Sequence, residues 1–281
     1  MKIVSVLNHK GGVGKTTFTG CTAQALALTG FRVLAIDNDS QHNLSTLLGV
    51  GVCEPGIRDV YTAPVDQGPR LLLRSVRTTE IANLHAITAN RDLCDADVAD
   101  PHHLKSIISA CGLERFYDFV LIDNAPGLDR LQAASVLACH EVFVPTELKQ
   151  FAINGIAEME HILGQRLPAG GRITKIIPNF YRNTRRQNSY LSALNSLFPG
   201  RITATAIPVD AVFDELITEQ KILFLHRLYS RAAAYYLKLI HELFNLDEGE
   251  LWEKVKGQRQ ERIRADARQR YLQQLSEGEP L

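Results

Sequence analysis

Asn8-His9-Lys10-Gly11-Gly12-Val13-Gly14-Lys15-Thr16-Thr17 decides how this chain is read. It follows a short apolar run, residues 3–7 (IVSVL), and leads into residues 16–28, which predict a helix with Gly30 as its stop. Glycines between a strand and a helix let the backbone curl until successive N–H groups converge on a phosphate. The helix N-terminus adds its positive dipole end. Gly11, Gly12, Val13, Gly14, Lys15, Thr16 and Thr17 are therefore the expected cradle. Lys15 supplies charge to β- and γ-phosphates, and the Thr16 hydroxyl can ligate Mg²⁺. A ligand-free glycine turn accounts for an isolated G-x-G, but not for a whole motif in register between strand and helix.

Working outward, residues 31–36 (FRVLAI) form a second apolar run that reaches Asp37. Strand, loop, helix, strand is a βαβ unit, and near-continuous apolar strands imply a parallel sheet covered on both faces. Further strands are expected at 84–88, 119–122, 141–145, 173–178 and 202–208. Helices are expected at 101–111, 129–138, 154–167, 186–197 and 230–244. The alternation predicts an α/β fold with a single doubly wound, mostly parallel sheet.

The 281 residues are 45% hydrophobic and 22% charged, enough for a sizeable core. No run approaches the roughly 20 apolar residues of a membrane span, and residues 1–7 are too short for a signal peptide, so a cytoplasmic protein is expected. The five cysteines form no C-x-x-C pair, which disfavours a zinc ribbon or a redox dithiol.

The general phosphate-loop pattern G-x-x-x-x-G-K-[ST] requires glycine at position 9, where His9 stands. Lys10-Gly11-Gly12-Val13-Gly14-Lys15-Thr16 instead resembles the deviant Walker A loop of the ParA/MinD family of P-loop ATPases, and within it the Soj-like ParA partition ATPases. The resemblance covers most of residues 1–245. It implies an ATPase that uses ATP and Mg²⁺, is weak alone, and forms a homodimer with ATP. Lys10 would reach across that dimer to the partner's nucleotide, in the manner of an arginine finger.

Asp37-Asn38-Asp39-Ser40-Gln41 looks like the family's switch I, D-x-D-P-Q, with Ser40 replacing the proline. Asp39 sits where the family positions the attacking water and is a candidate for the metal's surroundings; the alternative is a plain helix cap. Residues 119–123 (FVLID) resemble a Walker B strand that delivers Asp123 to hold magnesium through water. Asp123-Asn124-Ala125-Pro126-Gly127 resembles switch II, D-x-P-P-[GS], with Ala125 in place of the first proline. Asn179, Pro208 and Val209 fall where family members surround the adenine, although Asn179 alone reads equally as a strand-end turn residue.

The chain is neutral overall, yet residues 172–238 carry ten Lys/Arg against four acids. Such a skew is the footprint of a polyanion. With the resemblance, it implies nonspecific DNA as a partner, a nucleoid-associated location, and Arg182, Arg185 and Arg186 as first contacts. A ParB-like or adaptor protein that stimulates hydrolysis is implied in the same way. A MinD-like membrane cycle is the rival, and a NifH-like reductase or metallochaperone is a second alternative that the missing cysteine pairs disfavour. Residues 258–274 offer five arginines but only Ile263, Tyr271 and Leu272 for insertion, so no membrane partner is expected. Residues 1–246 are expected to form the ATPase domain, and 247–281 a charged C-terminal helical extension outside the core.

Overall fold

The computed structural model describes residues 1–167, 171–219 and 221–277. Strand β1 (Lys2–Val6) is followed by α1 (Lys15–Leu28) and β2 (Val33–Asn38). Short helices α2 (Asn43–Leu47), α3 (Ile57–Thr62) and α4 (Gly68–Ser75) lead to β3 (Val76–Thr78) and β4 (Leu84–Ile87). Next come α5 (His103–Cys111), β5 (Phe119–Asn124), α6 (Arg130–Ala138) and β6 (Glu141–Glu147). Helix α7 (Gln150–Arg166), β7 (Lys175–Asn179) and α8 (Arg185–Leu197) follow. Helices α9 (Val212–Glu219), α10 (Leu223–His226), α11 (Arg231–Phe244) and α12 (Glu248–Glu277) complete the described chain.

The seven strands lie in the order β3-β4-β2-β5-β1-β6-β7. Every pairing is parallel except β3 with β4. This is the expected doubly wound α/β sheet. Strand side chains alternate between faces. Val33 and Ala35 of β2, with Phe119 and Leu121 of β5, join the core beneath α1 and α11. Leu34, Ile36, Val120 and Ile122 join the opposite core, beneath α3, α5 and α6. A third cluster fills the β6–β7 end, where Val142, Val144 and Ile176 meet Met159 of α7 and Leu194 of α8. The alternation continues to the strand ends. Asp37 and Asp123 face α1, whereas Asn38 and Asn124 face the other way.

Residues 202–208 and the C-terminal helix depart from expectation. Residues 202–208 form no strand, only bridges from Ile176 to Ile202 and from Tyr181 to Pro208. The cause is competition for backbone donors. The N–H groups of Ala204 and Thr205 donate to the Glu242 carboxylate of α11, at 2.6 and 2.9 Å, instead of to a neighbouring strand. The C-terminal helix, expected outside the core, is core at its base: Leu251 and Val255 are buried in the α1–α11 cluster, with Trp252 packed against it. Further out, Arg259 Nε donates to Leu225 O at 2.9 Å, and Arg262 pairs with Glu80. Among the described residues no helix is long and apolar enough to cross a membrane.

Leu251→Ala should therefore cost about 2–5 kcal/mol in urea unfolding, the range for a deleted core leucine. Ile263→Ala, on the same helix but half-exposed, should stay within about 0.5 kcal/mol.

Candidate active site

The order β2-β5-β1 places three loops side by side at the carboxyl ends of the strands, the edge where open α/β sheets bind ligands. The loop after β1 is pinned from two sides. Asn8 Nδ2 donates to Pro145 O at 2.8 Å, and Asn8 Oδ1 accepts from Lys10 N at 3.0 Å. His9, where the general motif has glycine, packs on α7 at Gly155; a Cβ there would lie 2.3 Å from the His9 ring. Gly14 must be glycine twice over. Its φ is +88°, and a Cβ would fall 2.2 Å from Asn179 Nδ2. Gly12, at φ +69°, also occupies the left-handed region.

Lys15 opens α1 with its side chain folded back over the loop, where Nζ donates to Lys10 O at 3.3 Å. Burial pulls its pKa down, against the attraction of Asp123 and Asp39. Thr16 Oγ1 donates to Asp123 Oδ2 at 2.7 Å, and Thr19 Oγ1 lies 3.1 Å from Asp123 Oδ1. Asp37, paired in register with Asp123, accepts from Ser45 N at 2.8 Å and Ser45 Oγ at 2.7 Å. Asp39 N donates to Asp37 Oδ1 at 3.3 Å, and Asp39 Oδ1 accepts from Gln41 N at 2.9 Å.

Burial, with Asp37 alongside, pushes Asp123 up to about 7; burial likewise pushes Asp37 up to about 6. Two adjacent buried carboxylates with one lysine over them are short of positive charge. The hydroxyl and carboxylate oxygens are hard donors suited to Mg²⁺, and the adjoining N–H nest with Lys15 suits a triphosphate. ATP and Mg²⁺ therefore fit the residues present: Thr16 and Asp123 toward the metal, the 11–17 loop toward the phosphates.

The structure brings the 10–17 loop, Asp39 and Asp123 together. Asn179 joins them, with Nδ2 donating to Val13 O at 2.9 Å and Oδ1 accepting from Phe180 N at 2.9 Å. It buttresses the loop and keeps a second N–H and lone pair for a base edge. Pro208 and Val209 lie one strand position further out, beside Tyr181, on a cleft of about 450 Å³ that Arg182, Arg231 and Lys238 also line. Arg185 and Arg186 open α8, and Arg182 precedes it; all three are exposed, with no ion pair among the described residues. Sequence reasoning passed over Asn8, Thr19 and Ser45. Only Thr19 had a readable signal, lying one helical turn after Lys15 on the same face.

A glycine nest at a helix start, a lysine folded over it and a strand-end carboxylate gripped by the loop's threonine define a P-loop nucleoside-triphosphatase. Residues 1–166 match the family model described as "AAA domain", and the chain belongs to that family as a P-loop ATPase of the ParA/MinD type. It is 28% identical over 255 residues to the chromosome partitioning protein ParA of Caulobacter vibrioides, covering 87% of this chain and 94% of that one. It is 26% identical to the sporulation initiation inhibitor protein Soj of Bacillus subtilis, covering 86% and 98%. Among solved structures, the septum site-determining protein MinD of Pyrococcus horikoshii with Mg-ADP superposes with TM-score 0.69 at 26% identity, covering 86% of this chain and 95% of that one. An ATP complex of Cyanothece McdA superposes with TM-score 0.73 at 20% identity, covering 88% and 97%, a likeness of fold.

Lys15→Ala should weaken ATP binding at least about tenfold, and up to about a hundredfold, since a charged hydrogen bond contributes about 1.5–3 kcal/mol. Calorimetry reads this directly. Unchanged affinity would remove the loop from nucleotide binding.

Proposed function

We propose that this ATPase works as an ATP-closed homodimer that binds DNA without reading sequence, and that a partner protein stimulates its hydrolysis to release the DNA. The carrying observation is the divergence of two lysines from one loop. Lys15 turns inward across the loop, while Lys10 Nζ turns outward and lies 5.9 Å from the ring centroid of Phe151, itself 74% exposed. A cation on that outer surface is available to a second molecule docked over the site, where it offsets charge developing on the transferred phosphoryl group. In this reading Lys10 acts on the partner's nucleotide and Asp39 orients the attacking water by accepting its hydrogen bond. Thr16 and Asp123 would hold Mg²⁺, which would supply positive charge to neutralise the phosphates. Asn179, Pro208 and Val209 flank the adenine.

The DNA reading rests on charge placed against local preference. Arg185 and Arg186 occupy the first turn of α8, the end of a helix that disfavours cations. Cations there add to the helix's own positive end and make a spot suited to phosphate. All three arginines are exposed and form no ion pair among the described residues, so their charge is available to replace counterions. Dimer closure pairs two such surfaces, which makes DNA binding depend on ATP. The names of the relatives, a chromosome partitioning protein and Soj, point to partition or positioning of DNA or another cargo on the nucleoid. On this proposal the protein is cytoplasmic, nucleoid-associated and weakly active alone, with residues 1–246 as the working ATPase unit and 247–281 as its charged extension.

Asp39→Ala should bind ATP, fail to hydrolyse it and persist as a dimer in size exclusion. In that trapped state DNA binding should fall with salt at a log–log slope of about −0.9 per phosphate contact. Converting Arg185 and Arg186 to Ala should make the slope shallower by about one unit per lost contact in each subunit. Equal DNA binding with and without ATP, or an unaltered slope, would remove this surface from the mechanism.

A further inference from the structure

Behind the two carboxylates, on the opposite face of the same strands, lies a second polar constellation with no part in holding nucleotide. Asn38 and Asn124 are register partners at the ends of β2 and β5, and both are fully buried. Asn38 Nδ2 donates to Asn124 Oδ1 at 2.9 Å and to Leu131 O at 3.1 Å, while Asn38 Oδ1 accepts from Tyr61 Oη at 3.1 Å. Asn124 Nδ2 donates to Ser5 Oγ at 3.0 Å and to Val6 O at 3.0 Å. Ser5 Oγ in turn shares a 2.8 Å hydrogen bond with Ser135 Oγ. Both N–H groups of each amide are used, and Leu131 O and Val6 O can only accept. Neither amide can therefore flip without leaving a buried polar group unpaired.

The network touches the root of each loop at the site. Val6 ends β1, immediately before the phosphate loop. Asn38 precedes Asp39, and Asn124 precedes Ala125, whose N–H donates to Asn38 O at 3.3 Å. A displacement at the root of one loop must break a buried bond or move its neighbour. Satisfied buried networks behave as units for that reason. Neither Ser40 nor Ala125 is a proline, so at those two positions the backbone is held by bonds such as these rather than by a ring.

We infer that the Asn38–Asn124 bridge is a positioning device that couples the loop after β5 to the loop carrying Asp39, so that Asp39 holds its catalytic geometry only while the bridge is intact. This rests on the water-orienting role proposed for Asp39. Tyr61 of α3 anchors the outer end of the bridge, and Ser5 and Ser135 the inner end.

The test compares Asn38→Ala, Asn124→Ala, the double variant, Tyr61→Phe and Asp39→Ala for kcat and for MgADP affinity. Each asparagine variant should lose about tenfold in kcat with MgADP affinity within about twofold of the parent, and the double should be no slower than the worse single, as for two halves of one coupled unit. Parent-like kcat with a lowered melting temperature would make the bridge merely structural. Losses that multiply in the double would show that the residues act independently, and either result overturns the inference. Tyr61→Phe removes one hydroxyl and leaves the packing, so it decides the matter should the alanine variants not fold. A two- to fivefold loss of kcat at unchanged MgADP affinity is expected, about the effect of one neutral hydrogen bond, and parent kcat contradicts it. Asp39→Ala separates the two levels. If it hydrolyses at the parent rate, the role of Asp39 fails; if it is inactive while the bridge variants are not, only the bridge fails.

Discussion

The clamp on Asp123 organises this molecule. A carboxylate at the end of a central buried strand is costly unless something neutralises it. Here the hydroxyls of Thr16 and Thr19 reach it from one turn and the next of α1. That contact locks the phosphate-loop helix to the sheet, and the strand order places the Asp37 pair on one side and the loop on the other. Burial raises the pKa of both Asp123 and Asp37, and a magnesium ion bound there would favour their ionised forms. Fold and chemistry thus meet at one buried carboxylate contacted by two hydroxyls of the phosphate-loop helix.

The same strand ends do two jobs because successive side chains point to opposite faces. Asp37 and Asp123 serve the nucleotide side, whereas Asn38 and Asn124 tie the loop roots together on the other side. Thr16 contacts Asp123 and, in the proposed function, would also hold the metal, while Thr19 and Ser45 contact the two carboxylates. Lys10 stands outside this economy of buried contacts, since its side chain leaves the loop for the surface at Phe151. In the proposed dimer, that divergence from Lys15 is what lets Lys10 act on the second copy's nucleotide.

Local rules made the phosphate loop legible, because glycines at positive φ between a strand and a helix leave a direct trace in residue types. The parallel sheet was equally legible, since β1, β2 and β5 are apolar runs ending in polar residues. What escaped was whatever depends on partners distant in sequence. Residues 202–208 have a strand-like composition, yet Glu242, some forty positions on, takes the backbone donors of Ala204 and Thr205. The charged composition of α12 concealed Leu251 and Val255, which lie one turn apart and bury beside α1. Short helices α2 to α4 carry too few residues for a period to show. Asn38 and Asn124 were visible as letters beside the aspartates, but their bond exists only because β2 and β5 pair in register.

The central claim is that one copy's Lys10 completes the site of the other, and mixing two inactive variants tests it most directly. In a Lys10→Ala and Asp39→Ala mixed dimer, one site combines an intact Asp39 with an intact Lys10 reaching from the partner. Each variant alone should be nearly inactive. Equal mixing should restore roughly a quarter of the parent ATPase rate, because half the dimers are mixed and each has one working site. No recovery on mixing, or a fully active Lys10→Ala protein alone, would contradict the account.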